Sequence, residues 1–175
     1  MNLILFGLPS SGKTTIGKKL AAQLSLPFMD TDTIIEALHR QQYSLNYSCR
    51  KIYQTYGESK FRVIESEAIF SLQNKSSTII SLGGGAICNP EILPFLQDLG
   101  ELVQLQISKQ TLYSRLLLNP PAFLNKTNFD TFYEYRMQCL KRIPSYIIDI
   151  NDKNLAEITH LLSTLYIHIN SRHYG

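Results

Sequence analysis

The stretch "GLPSSGKTT", from Gly7 to Thr15, constrains the fold of this chain more than any other. Two glycines separated by four residues are followed by Lys13 and Thr14, which is the full phosphate-loop pattern. The apolar run "NLILF" comes before it, and apolar residues at helical spacing come after it: Ile16, Leu20 and Leu24. The pattern therefore lies between a strand and a helix, where a phosphate loop has to lie. A chance glycine-rich turn with a surface lysine is the weaker alternative.

This loop predicts how a nucleoside triphosphate is bound. Glycines let successive backbone N–H groups point inward at the positive end of the following helix. Lys13 is expected to reach the β and γ phosphates, and the Thr14 hydroxyl is expected to bind the magnesium ion that bridges them. Thr15 is a candidate for an α-phosphate contact. The rest of the predicted nucleotide-binding set is Ser10, Ser11 and Gly12.

The remainder of the chain alternates apolar strand-like runs with amphipathic helical segments. After "NLILF" the strand-like runs are "FMD", "STIISL", "ELVQLQI" and "YIIDI", and helical patterns separate them. Such alternation is typical of a parallel sheet covered by helices on both faces. We therefore expect a single α/β domain over 1–175 with a five-stranded parallel sheet. A break is expected at Gly57, and a helix is expected to begin at Asn89 and Pro90.

Composition restricts the class of partner. The 175 residues carry a net charge of +3, and the lysines and arginines are scattered along the chain, which does not indicate a nucleic-acid surface. Three widely spaced cysteines suggest neither a zinc site nor a disulfide framework. The apolar runs are too short for a signal peptide or a membrane span. We expect a soluble, cytoplasmic monomer that binds a small molecule.

The segment "FMDTDTIIE" contains the first candidates for the acceptor side of the reaction. Asp30 and Asp32 lie two residues apart where a strand passes into a helix. One carboxylate near magnesium and another aimed at a substrate hydroxyl is the arrangement that phosphoryl transfer to an alcohol requires. The alternative is that Asp32 or Thr31 merely caps the helix.

Three further segments supply cations and glycines. Arg62, one helical turn before Glu65, has the planar fork that binds a carboxylate, although a surface salt bridge is the common role of such a residue. Gly83, Gly84 and Gly85 follow a strand, where loops bind ligands in open parallel sheets, or they form a flexible turn. Near the C-terminus, Arg136 and Arg142 are cations that either bind substrate or are simply solvated.

Five segments occur in an order that resembles shikimate kinase, a small kinase with a three-layer P-loop fold: "GLPSSGKTTIGKKLA", "FMDTD", "YGESKFRVIE", "SLGGGA" and "LKRIPSY". The resemblance implies transfer of a phosphoryl group from ATP, with Mg²⁺, to the 3-hydroxyl of shikimate. It implies that Asp32 is the base or orienting group for that hydroxyl, that Asp30 supports the metal shell and that Lys13 is catalytic. It also implies a carboxylate clamp of Arg62 and Arg142, with the ring against the backbone of 83–85.

The sequence departs from this family in two places. The resemblance implies a substrate-binding subdomain at about 31–62 and a lid at about 116–129, and Asn119 stands where the lid of the family has an arginine. Arg115 and Lys126 are the candidate replacements. The substrate-side segment is also longer than is usual in the family. Two alternatives therefore remain: a kinase of another small hydroxy acid such as gluconate, and a nucleotide-binding module with weakened transfer.

Overall fold

A computed structural model of the chain describes residues 1–118, 120–121, 124 and 128–173. Its strands are β1 (Asn2–Phe6), β2 (Phe28–Asp30), β3 (Ile79–Ser81), β4 (Gly100–Gln106) and β5 (Tyr146–Asp149). They form one five-stranded sheet in the order β2-β3-β1-β4-β5, and every neighbouring pair is parallel. The prediction of a five-stranded parallel sheet flanked by helices is confirmed.

The helices connect the strands in the alternating order that the sequence predicts. They are α1 (Lys13–Leu24), α2 (Thr31–Tyr43), α3 (Cys49–Phe70), α4 (Leu93–Leu99), α5 (Lys109–Leu118), α6 (Phe129–Lys141) and α7 (Leu155–His173), with a 3₁₀ turn at Ala86–Cys88. The expected break at Gly57 is present as a non-helical residue inside α3, with φ of 80° and ψ of 175°. None of the helices in the described part of the chain is long and apolar enough to cross a membrane.

The core is built around β1, which lies between β3 and β4 and is buried along its whole length. Continuous burial explains why "NLILF" is an apolar run rather than an alternating pattern, since helices cover both faces of a parallel sheet. Each fully buried leucine, isoleucine or phenylalanine contributes about 1.5–3 kcal/mol. Because β1, β2 and β3 are parallel, the loops that follow Phe6, Asp30 and Ser81 meet at one edge of the sheet.

A second, smaller apolar cluster lies between α2 and α3. Its buried members are Ile35, Ile52, Phe61, Ile64 and Ala68. This cluster gives the region its own packing, separate from the core around β1. The predicted substrate-binding subdomain at about 31–62 covers much of the same region.

The helix predicted from Asn89 begins later, at Leu93. A turn over 90–92 comes first, and the Asn89 side chain accepts a hydrogen bond from the Glu91 N–H at 3.0 Å at the start of that turn. The prediction for Asn119 and the possible role of Lys126 lie outside the described residues, as does much of the predicted lid at 116–129.

Candidate active site

The phosphate loop is held against β4 at its first glycine. A Cβ atom on Gly7 would lie 2.7 Å from the Leu105 carbonyl oxygen, and the φ angle of Gly7 is +147°. Gly12 ends the loop as the N-cap of α1 with φ of 93°. Both positions therefore require glycine for reasons that are local to the backbone. The loop leads directly into the N-terminus of α1, where backbone N–H groups favour an anion.

Lys13 is folded back onto the loop that precedes it. Its side chain is buried, with the residue 7% exposed. The ammonium group donates hydrogen bonds to the Leu8 carbonyl at 2.8 Å and the Gly7 carbonyl at 3.2 Å. Burial lowers the pKa of Lys13 to about 8, although the charges of Asp32 and Asp30 act in the opposite direction. Lys13 is therefore still mostly charged at neutral pH, and it lies within electrostatic range of both acidic residues.

Thr14 and Asp30 place two hard oxygen ligands side by side. The Thr14 hydroxyl donates to Asp30 Oδ2 at 2.6 Å, and Asp30 Oδ1 accepts from the Asp32 N–H at 3.0 Å. Asp30 is thus the N-cap of α2, and the alternative in which Thr31 or Asp32 is the capping residue is wrong. Thr31 is occupied elsewhere, because its hydroxyl accepts the Gly83 N–H at 2.9 Å.

The oxygen pair of Thr14 and Asp30 fits a magnesium ion by the chemistry of its donors. Magnesium prefers oxygen ligands and usually keeps several waters or substrate phosphates in its shell, so one or two protein ligands suffice. Within the described ranges, no group of three His, Cys, Asp or Glu side chains is arranged to hold a metal ion. The phosphates on the neighbouring loop would complete the shell.

Asp32 lies in the first turn of α2 and lines the cavity beside the loop. The loss of surrounding water and the nearby charge of Asp30 together raise its pKa to about 6, while Lys13 acts in the opposite direction. A carboxyl group with a pKa near neutrality is well suited to accept a proton and later release it. Because Asp30 makes the cap, the side chain of Asp32 is available for this role.

The cavity has a volume of about 410 Å³, a size that suits a small molecule. Its lining joins Pro9 and Ser10 of the phosphate loop to residues from α2, α3, α6 and the loop after β3. The lining residues that matter for the chemistry are Asp32, Arg62, Gly83, Gly84, Gly85 and Arg136. Two predicted parts of the site, the phosphate loop and the acceptor residues, are therefore adjacent.

Arg62 is held in the cavity by acidic residues of its own helix. Its Nη1 contacts Glu65 Oε2 at 2.6 Å and its Nη2 contacts Glu58 Oε1 at 3.3 Å. Glu65 is only 2% exposed, and burial raises its pKa while Arg62 opposes that rise. The surface salt bridge that was the alternative role of Arg62 is thus a partly buried ion pair. It fixes the guanidinium beside the glycine loop.

The three glycines are close-approach positions. A Cβ on Gly84 would lie 3.0 Å from the Pro9 Cα, and one on Gly83 would lie 2.8 Å from Asp32 Oδ1. A Cβ on Gly85 would lie 2.7 Å from both terminal nitrogens of Arg62. Because the loop after β3 carries no side chains at the three glycines, the phosphate loop, Asp32 and Arg62 can all approach it closely. A side chain at any of the three glycines would push one of these neighbours away.

The two C-terminal arginines lie in different environments. Arg142, predicted to bind the carboxylate, is exposed at the C-cap of α6 and is not among the residues that line the cavity. Arg136 is 6% exposed and lines the cavity, and its Nη1 donates to the Gly85 carbonyl at 3.2 Å. Helical spacing could have indicated this, because Phe132, Arg136 and Leu140 recur every four residues on the buried side of α6.

Arg115, a candidate replacement for the lid arginine, lies near the phosphate loop. Its Nη1 donates to the Ser10 carbonyl at 3.0 Å from the last turns of α5. For Arg136 the sequence left open whether it binds substrate or is solvated, and Glu65 is the residue whose part in the site the sequence did not reveal. For Glu65 the available signal was its spacing of three residues from Arg62, which places both on one helical face.

Comparison with known sequences identifies relatives over most of the chain. A sequence model of the family described as shikimate kinase matches residues 9–166. A shikimate kinase of Clostridium botulinum is 31% identical over 164 residues, which are 90% of this chain and 93% of the relative. A shikimate kinase of Geobacter sulfurreducens is 38% identical over 127 residues, which are 73% of this chain and 67% of the relative.

Comparison with solved structures supports the fold. Shikimate kinase from Acinetobacter baumannii in complex with shikimate superposes with a TM-score of 0.80 at 23% identity, covering 95% of this chain and 93% of that chain. A gluconokinase from Sinorhizobium meliloti superposes less closely, with a TM-score of 0.57 at 13% identity over 99% of this chain and 95% of that chain. At these identities the likeness concerns the fold alone.

Proposed function

The chain belongs to the shikimate kinase family, and on that premise we propose that it transfers the γ-phosphoryl group of ATP to the 3-hydroxyl of shikimate. The products are ADP and shikimate 3-phosphate, in the pathway to the aromatic amino acids. One observation carries the proposal: a single cavity contains Asp32 and Arg62 and is bordered by the phosphate loop. A carboxylate that can accept a proton from a hydroxyl, a cation that can bind a substrate carboxylate and the loop that can bind the phosphate donor thus lie within the reach of one small molecule.

On the donor side, the loop backbone and the N-terminus of α1 bind the phosphates of ATP. Lys13 leaves the Gly7 and Leu8 carbonyls, which it contacts here, and neutralises charge on the β and γ phosphates. Thr14 and Asp30 would hold Mg²⁺, which would supply positive charge to the phosphate oxygens. Ser10, Ser11 and Thr15 complete the nucleotide contacts, and Arg115 adds a positive charge beside Ser10.

On the acceptor side, ionised Asp32 accepts a hydrogen bond from the 3-hydroxyl and takes its proton as the oxygen attacks the γ-phosphorus. Arg62, fixed by Glu65, binds the substrate carboxylate. The backbone of Gly83, Gly84 and Gly85 lies along the ring because no side chain stands in the way. Most of the rate gain comes from alignment and charge neutralisation.

A coupled assay for ADP release tests this proposal directly. We expect ATP turnover that depends on shikimate and on Mg²⁺, with none above background on gluconate. Turnover on gluconate without turnover on shikimate would instead indicate a kinase of another hydroxy acid. Nucleotide binding by calorimetry without turnover on either acid would indicate a module with weakened transfer, and either result contradicts the proposed function.

The pKa values of Asp32 and Lys13 predict a bell-shaped pH dependence. Asp32 has to be ionised to accept a proton, so kcat/KM for shikimate should fall as the pH drops below about 6. Lys13 has to be charged to bind phosphate, so kcat/KM for ATP should fall as the pH rises above about 8. The basic limb should be weaker in kcat, because bound phosphates stabilise the charged lysine. An acid limb near the ordinary aspartate pKa would contradict the assigned role of Asp32.

A further inference from the structure

Beyond the proposed function, we propose that Cys88 and Cys139 are a redox-modifiable pair, which a small-molecule disulfide such as oxidised glutathione converts to an intramolecular disulfide. All three cysteines of the chain are free thiols in the structure. The two members of the pair are far apart in the sequence, so only the fold brings them together. The effect of the bond on the acceptor site rests on the proposed function, whereas the formation of the bond does not.

The packing of the 3₁₀ turn against α6 carries this inference. The Gly85 carbonyl accepts both the Cys88 N–H at 3.1 Å and Arg136 Nη1 at 3.2 Å. Cys139 lies one helical turn after Arg136, so both cysteines lie just beyond this shared contact. Cα atoms of the two elements approach within 8 Å of each other. Because a disulfide joins Cα atoms about 4.4–6.8 Å apart, a small movement of the turn towards α6 can close the bond.

The two thiols also contact each other through their side chains. Burial raises the pKa of the Cys88 thiol to about 11, Arg136 lowers it, and a hydrogen bond with the Cys139 thiol raises it. This hydrogen bond requires the two side chains to point towards each other, which the packing of the backbones alone does not. Both cysteines are partly exposed, and the neighbouring Tyr135 is 55% exposed. A small oxidant can therefore reach the pair from the surface.

Oxidation of the pair proceeds by two thiol–disulfide exchanges. One cysteine, as the thiolate, attacks a sulfur of oxidised glutathione, which forms a mixed disulfide and releases one glutathione thiolate. The other cysteine attacks the protein sulfur of that mixed disulfide and releases the second glutathione. The protein thus gives up two protons and two electrons, and these reduce one molecule of oxidised glutathione to two thiols. The second exchange is intramolecular and therefore fast, because the two thiols are already neighbours.

The new bond acts on the acceptor side through Gly85. Neither cysteine is among the described residues that line the cavity, so the disulfide alters the position of the loop after β3 rather than blocking the site. A Cβ on Gly85 would lie 2.7 Å from both terminal nitrogens of Arg62, which shows how closely the loop and the guanidinium fit. A pull of the 3₁₀ turn towards α6 displaces Gly85 from this fit. The expected result is a weaker acceptor site with little change at the phosphate loop.

The test treats the folded protein with oxidised glutathione and then counts free thiols after denaturation and measures the intact mass. We expect the three thiols to fall to one, with the loss of two hydrogen atoms and no added glutathione. In the same sample kcat/KM for shikimate should fall about 10-fold, since a displacement of about 1 Å can cost on the order of 100-fold. The Kd of ATP should remain close to normal, and dithiothreitol should reverse all changes.

Three serine variants are the controls. Cys88→Ser and Cys139→Ser cannot form the bond, so the same treatment should leave their kcat/KM for shikimate unchanged. Cys49→Ser keeps the pair and should still lose two thiols. Should a serine variant fail to fold, proteolysis and mass spectrometry of the oxidised, unaltered protein decide the matter. A cross-linked peptide pair that contains Cys88 and Cys139 is then expected, and a link to Cys49 contradicts the inference.

The inference is overturned if oxidised glutathione leaves all three thiols of the folded protein intact, or only adds glutathione to them. It is also overturned if the disulfide forms without changing kcat/KM for shikimate, or if Cys139→Ser loses activity to the same extent on treatment. Failure of the proposed function is a separate result, because it appears as absent shikimate turnover in the reduced protein. In that case the thiol count and the peptide map still decide whether the pair is oxidised, because neither measurement needs a substrate.

Discussion

Asp32→Asn is expected to lower kcat about 10²- to 10⁴-fold, the usual contribution of a positioned general base. Asparagine keeps the size and polarity of the side chain, but it cannot accept a proton from the substrate hydroxyl. Binding of ATP should remain close to normal, because Asp30 and Thr14, which are hydrogen-bonded to each other, are the proposed magnesium ligands beside the loop and Asp32 is not. The measurements are kcat in the coupled assay and the Kd of ATP by calorimetry.

The same substitution should stabilise the folded protein above pH 6. The pKa of Asp32 is about 6 in the fold against an ordinary value of 3.8, so the fold disfavours the ionised form. At pH values well below 3.8 the group is protonated in both folded and unfolded chains and contributes no difference. As the pH rises through 6 the penalty for ionised Asp32 becomes complete, and asparagine removes it. Thermal unfolding at pH 4 and at pH 7.5 measures this difference in Tm.

Asp152→Asn is a suitable control for Asp32→Asn. Asp152 is exposed, and its φ of 55° is a conformation that asparagine adopts readily. We expect it to change neither kcat nor Tm. Normal turnover by Asp32→Asn would show that a carboxylate at this position is not needed for proton transfer. Loss of turnover together with loss of ATP binding would show that Asp32 belongs to the nucleotide site instead.

Lys13→Met is expected to lower kcat about 10²- to 10³-fold, the effect of removing one charge that stabilises the transition state. Methionine fills similar space in the buried position but carries no positive charge to offset the charge on the transferring phosphoryl group. ATP should also bind more weakly, since in the proposed mechanism Lys13 contacts the phosphates before and during transfer. Kinetics under ATP saturation separate the two effects.

Lys18→Met on the same helix is the matched control, because Lys18 is exposed. It should leave both kcat and ATP binding unchanged, and circular dichroism should show the same helix content in both variants. If Lys13→Met retained more than about a tenth of the normal kcat, the loop backbone alone would account for phosphate binding and the side chain would have a minor role.

Much of the fold could be predicted because its signals are local. The alternation of strands and helices follows from short apolar patterns, and the break at Gly57 follows from one residue type. The start of α4 could not be predicted in this way. Asn89 and Pro90 have the composition of a helix start, and the Asn89 side chain accepts the Glu91 N–H as a capping side chain does, yet a turn over 90–92 comes before the helix. Turns and caps use the same residues, so their distinction depends on how the following chain packs.

The sequence by itself determined the phosphate loop, because its glycines and lysine act through backbone geometry within nine consecutive residues. The acceptor side was decided only by the tertiary structure. Arg136 meets Gly85 across 51 positions of the chain, and the Gly83 N–H meets the Thr31 hydroxyl across 52. Which of two arginines on one helix lies in the cavity depends on how α6 is rotated against the sheet. No local pattern of charge carries that information, because the direction of a side chain is set by the packing of its whole helix.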